Sequence, residues 1–195
     1  MKRFVWILAT LISFILLCGC GNNSKRIVSE KPVKNEILGL KLCTVSSQED
    51  IEWKVGMSLG QYVYTNNDNF DIRSVVRVVP SSLKVHYGEL SWNNIDVTLN
   101  KDNRIVAISF DASYESIEMA KEHFEAAKNI FSKKYGKGNE NKEDHVIFWT
   151  DDINSVGVSY EKSSTILGQD RYFCTLYYVN IELSEELEES SIEEI

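Results

Sequence analysis

The sequence predicts an α+β domain: an antiparallel sheet of about six to seven strands with one long and one short helix packed on one face. Three observations predict it. Short runs of alternating apolar and polar residues recur between polar turns, as in Trp92–Leu99 and Arg104–Phe110 around Asn100-Lys101-Asp102-Asn103. One stretch, Ser113–Tyr135, instead sets Ile117, Ala120, Phe124, Ala127 and Phe131 at helical spacing. The chain has 195 residues, 43% hydrophobic and 11% aromatic, which suits one packed core rather than two.

Each element has its own signal. Ile37–Val45 is apolar and β-rich and reads as one short strand or extended lead-in. Ser46 and Glu49 have capping-box spacing, which predicts a short helix to about Val55, stopped by Gly56. Asn66-Asn67-Asp68-Asn69 marks a loop. Ile72–Val79 is rich in β-branched residues and ends at Pro80. Ser82–Leu90 reads as a strand with Leu83, Val85 and Tyr87 on one face. The next two strands turn Ile95, Val97 and Leu99, then Val106, Ile108 and Phe110, inward. Asp96 and Thr98 fall on the opposite side, so the meander has one covered face. In the long helix, Asp111 or Ser113 can cap the start, Lys133 and Lys134 suit the last turn, and Gly136 stands at C′. His145–Trp149 and Ser155–Tyr160 form a hairpin across Asp151–Asn154. Tyr172–Leu183 is apolar on both faces, which predicts an interior strand.

The N-terminus carries an address. Lys2 and Arg3 precede Phe4–Leu17, an uncharged run of fourteen residues, and Leu17-Cys18-Gly19-Cys20 follows. A run this short fits a signal-peptide core better than a membrane span, which needs about 20 apolar residues. The pattern Leu-x-Gly-Cys resembles the lipobox of bacterial lipoproteins. The resemblance implies that residues 1–19 are a signal peptide and that Cys20, freed by cleavage, carries the lipid, palmitate included. It also implies a place in the bacterial cell envelope, anchored to a membrane, with the outer membrane as the expected one. Removing 19 residues from 195 leaves 176, and losing Lys2 and Arg3 takes the formal net charge from −8 to −10. Residues 20–36 then read as a flexible tether. Sixteen linker residues span roughly 20–24 Å root-mean-square. A single domain fills 37–183, and 184–195 is an acidic tail with six glutamates between Glu185 and Glu194. The charge excludes nucleic acid as a natural partner, because no basic face is available for phosphate.

A second likeness spans Val85–Gly136. V-H-Y-G-E-L-S-W, a strand, a polar turn, I-V-A-I-S-F and a helix closing in K-K-Y-G resemble small lipoproteins of Bacteroides-type bacteria. The opening L-G-L-K-L-C-T-V-S-S-Q-E-D-I is similar to the strand-then-helix start of that group. The resemblance implies helices on one face of an antiparallel sheet, a layout shared with β-lactamase-inhibitor-like and outer-membrane assembly lipoproteins. Likeness of fold licenses no activity.

Chemistry-bearing residues are few. His86, His123 and His145 lack metal-ligand spacing, and no metal or cofactor is expected. Asp144-His145 with Asp151-Asp152 is the one carboxylate–imidazole group that suggests acid–base work; turn composition plus one polar strand position is the favoured reading. Asn66–Asp71 offers oxygen ligands without EF-hand spacing. Trp92, Trp149, Tyr87, Tyr172 and Tyr178 read either as core or as an exposed ligand platform. Cys43 and Cys174 read either as a disulfide or as two buried thiols. Leu183, Leu187 and Ile195 can share one face of a short tail helix that docks on a basic partner. No catalytic residue is assigned. The expected function is a membrane-anchored, non-enzymatic binding or interaction module with an envelope protein as partner. An envelope hydrolase at Asp144 and His145, and a glycan or small-ligand binder using exposed aromatics, are the alternatives.

Overall fold

The structure, a computed structural model, describes residues 27–47, 49–51, 72–78, 85–164 and 170–184. Their strands, in chain order, are β1 (Glu36–Ile37), β2 (Leu40–Lys41), β3 (Ile72–Val78), β4 (Val85–Tyr87), β5 (Leu90–Trp92), β6 (Asn94–Asn100) and β7 (Ile105–Tyr114). Helix α1 (Ile117–Tyr135) follows, then β8 (Asn139–Asn141), β9 (Val146–Thr150), β10 (Asn154–Ser164) and β11 (Asp170–Asn180). Seven strands form one sheet in the order β3-β6-β7-β11-β10-β9-β8. Every neighbouring pair is antiparallel. The expected α+β class and antiparallel sheet are therefore what the chain adopts. The apolar strand expected in the interior is β11, at the middle of the sheet.

One face of this sheet holds the main core. Ile95, Val97, Ile108, Phe110, Cys174, Leu176, Tyr178, Val156, Val158, Tyr160, Ile147 and Trp149 project there at the two-residue spacing of the pleat. Helix α1 covers them with Ala120, Phe124, Ala127, Phe131 and Tyr135. Phe131 sits between the rings of Trp149 and Tyr178, and Phe124 meets Tyr160 edge-on at 5.1 Å. The N-terminal segment closes the same core with Val33, Ile37, Leu40, Leu42 and Ile51.

Several expectations need correction. The helix starts at Ile117, because the hydroxyl of Ser116, and not Asp111 or Ser113, accepts the Met119 N–H, while β7 runs on to Tyr114. Ile117 is consequently 40% exposed and leaves the buried stripe to Tyr135. Gly136 does end the helix, at φ 83°, with its N–H on the Ser132 carbonyl. The capping box is shifted by one residue: Ser47 Oγ accepts from the Asp50 N–H, and the Asp50 carboxylate reaches back to Ser47. Residues 49–51 are helical; the rest of the short helix, like the loop 66–69, lies outside the described residues.

Two runs read as single strands are tight hairpins. Leu38 and Gly39 (φ 52° and 76°) fold β1 onto β2, and Gly88 and Glu89 (φ 60° and 65°) fold β4 onto β5. Two successive residues at positive φ make the type I′ turn whose twist matches an antiparallel pair. The second hairpin lies over the core: Tyr87 stacks on Phe110 at 4.6 Å, and a Cβ on Gly88 would come within 3.3 Å of Phe131. The expected tether of residues 20–36 is shortened. Val28 pairs with Thr150, Glu30 N–H bonds Tyr135 O, and Val33 N–H bonds the Asp151 carboxylate. Residues 27–36 thus belong to the domain, held mainly through backbone groups that composition does not reveal.

The second face of the sheet is also buried, against the expectation of one covered face. Asp96, Thr98, Ser109, Thr175, Ser155, Tyr177 and Val179 are each no more than 3% exposed. Gly157 makes room there for Tyr177: a Cβ at that position would lie 2.0 Å from the phenol. Gly157→Ala is therefore expected to cost about 1–3 kcal/mol, as overpacking does. In chemical denaturation the loss should be smaller when Tyr177→Leu removes the phenol.

Candidate functional site

The group selected for acid–base chemistry is not assembled. Asp144 and His145 precede β9 and Asp151 follows it, so five strand residues, about 17 Å, separate them. Asp151 serves its own loop: Oδ1 accepts from the Ile153 and Asn154 N–H groups and Oδ2 from Val33. Asp144 accepts from Asn141 Nδ2, and the exposed His145 ring stacks on Tyr160 at 4.4 Å. The hydrolase reading loses the constellation that motivated it.

The exposed aromatic platform is likewise not assembled from these residues. Trp92 and Trp149 are 1% and 0% exposed and donate their indole N–H groups to the carbonyls of Tyr87 and Gly136. Tyr178 is fully buried and Tyr87 half-buried, their hydroxyls hydrogen-bonded at 3.2 Å; Tyr172 packs at the core edge. Burial raises both phenol pKa values. Cys43 and Cys174 are not bridged to each other. Cys174 is buried on β11, where burial first and the Asp111 charge second push its thiol pKa well up, making it a poor nucleophile. Cys20, Asn66–Asp71 and the tail from Glu185 lie outside the described residues.

Two polar clusters emerge instead. On the second face of β6 and β7, register sets Asn94 across from Asp111 and Asp96 across from Ser109. Asn94 Nδ2 donates to Asp111 at 3.1 Å and lies 3.5 Å from Asp96, while Thr175 of β11 donates to Asp111 at 2.8 Å. Asn94, Asp111 and Thr175 thus tie three strands together, while the Thr98 and Ser109 hydroxyls of the same face are buried without a hydrogen-bond partner among the described residues. Arg77 occupies the β3 register position across from Asp96. In the sequence Asp96 reads as the uncovered side of the meander, Asp111 as a helix cap, and Thr175 as part of a strand apolar on both faces.

The second cluster is at the start of α1. His123 Nδ1 is hydrogen-bonded to the Tyr114 hydroxyl, and its ring meets Trp92 edge-on at 4.5 Å. Its Nε2 is buried without a hydrogen-bond partner among the described residues. Burial pushes its pKa down to about 4, so the ring is neutral at pH 7. His86 is exposed, bonded to Ser91 at 3.0 Å. Among the described residues, no three His, Cys, Asp or Glu side chains are grouped to hold a metal.

Among the described residues these elements define an α+β fold built on a seven-stranded antiparallel sheet with one long helix. No protein-family model, no curated protein and no solved structure matches the chain.

The neutral His123 has a measurable consequence. The unfolded chain binds its proton near pH 6.5 and the folded chain only near pH 4. Its contribution to stability is therefore complete above the unfolded value and is lost as pH falls through this window. Urea midpoints measured from pH 7.5 to 5 should fall with acid, and His123→Asn should flatten the slope.

Proposed function

We propose that this chain is a lipid-anchored protein of the bacterial cell envelope, with the outer membrane as its expected site, whose domain binds another molecule rather than transforming one. The observation that carries the reading is Leu17-Cys18-Gly19-Cys20 after a basic start and fourteen uncharged residues. Cys20 is the lipid-bearing residue in this account. Binding is favoured over catalysis because the candidate reactive groups have structural employment. Asp151 holds a loop, Asp111 is enclosed by Asn94 and Thr175, and Cys174 is buried with a raised thiol pKa. An envelope protein is the expected partner, met through the domain while the anchor holds it at the membrane.

The test pairs the full chain with Cys20→Ala in a bacterium that processes lipoproteins. The expected wild-type product begins at Cys20, carries acyl mass and sediments with membranes, while the variant keeps its signal peptide and lacks that mass. In-cell cross-linking should then recover one dominant protein with the wild type and lose it with the variant. A soluble wild-type product with an unmodified Cys20 contradicts the reading.

A further inference from the structure

The two ends of the sheet are unlike. Antiparallel register brings to one end the start of β7, the finish of β11, the β9–β10 turn and, through Glu30 N–H on Tyr135 O, the finish of α1. The chain joins the domain at this same end, where Val28 pairs with Thr150 beside β9. Five large apolar side chains are exposed among the described residues. Ile117 and Met119 lie at the start of α1, the opposite end. The other three lie at the entry end: Val28 at 57%, Ile153 in the β9–β10 turn at 61%, and Val45, bridged to Arg104 beside the β6–β7 turn, at 69%. Strands β7 and β9 are three places apart in the sheet, so these side chains are spread over about 14 Å or more.

We propose that Val28, Val45 and Ile153 form a footing that rests on the lipid surface and sets the domain upright on its membrane. The proposal rests on Cys20 as the anchor. Six residues lie between Cys20 and Ile27, seven Cα-to-Cα steps and at most about 25 Å of chain. That is shorter than the roughly 36 Å along the eleven residues of β11, so the entry end is the one the anchor brings to lipid. An anchor also raises the local concentration of lipid, so three modest apolar contacts are enough to bias orientation. The contact is apolar in nature. Lys31, Lys34, Lys101, Arg104 and Lys137 flank the entry end, but so do Glu30, Asp102, Asp151 and Asp152, and the six glutamates follow Ser184 in sequence. Added salt should therefore leave the contact in place.

The experiment uses processed, lipidated full chain in phosphatidylcholine vesicles containing spin-labelled lipid. An environment-sensitive dye is attached at Ile153→Cys, or at His145→Cys as the far-end control, in a Cys43→Ser background. Vesicle flotation is read first, because protein that does not float has no anchor; that result overturns the lipoprotein reading and the footing together. With floating protein, the account expects dye quenching at residue 153 at least about twofold above residue 145. Quenching should be unchanged in about 0.5 M salt. In the Ile153→Cys protein, Val28→Asp with Val45→Asp should abolish the difference while flotation persists. Equal quenching at both ends in floating protein overturns the footing alone.

Discussion

Strand β11 is hydrogen-bonded on both sides, and within the sheet the two halves meet nowhere else. β3, β6 and β7 reach it through the β7 register, Tyr172↔Tyr114 to Val179↔Ala107, and β10, β9 and β8 through Asn154↔Asn180 to Ser164↔Asp170. Its alternate residues serve different tasks. Cys174, Leu176 and Tyr178 enter the core beneath α1; Thr175, Tyr177 and Val179 enter the buried second face. A strand apolar on both sides is what a central position requires, and the sequence from Tyr172 onward meets that demand at almost every step.

The second face depends on the same strand. Thr175 completes the enclosure of Asp111, whose other oxygen takes the Asn94 amide, so the β6–β7 pair is locked to β11 by side chains as well as by the ladder. Leaving a buried carboxylate without such donors would cost far more than the bonds return in isolation. Asn94, Asp111 and Thr175 can occupy a buried face because they satisfy each other, whereas the buried hydroxyls of Thr98 and Ser109 find no hydrogen-bond partner among the described residues.

Much of the fold was legible where a residue type forces a geometry. The turns at Asn100–Asn103 and Asp151–Asn154, the stop at Gly136 and the stripe Ala120, Phe124, Ala127 and Phe131 all fell where composition put them. What escaped were features set by backbone partners. Residues 27–36 are polar, yet their N–H groups bond to Thr150, Tyr135 and Asp151; the short edge strand Asn-Glu-Asn of β8 has no apolar signature at all. Leu38-Gly39 and Gly88-Glu89 sit inside apolar runs, and the runs masked the turns. For the candidate site the position was reversed. Asp144 and Asp151 are close in sequence but stand at opposite ends of a strand, whereas Asn94, Asp111 and Thr175 are far apart in sequence and touch. The Leu-x-Gly-Cys pattern behind the proposed anchor, by contrast, is local, and needs no fold to be read.

Native-state hydrogen exchange tests the organising role of β11 most directly. The account predicts that the amides linking β11 to β7 and to β10 exchange last and together, at the free energy of global unfolding, with residues 28–30 following β9. Separate exchange of β3–β6–β7 and of β8–β9–β10 as two independent units, with β11 amides opening early, would contradict it.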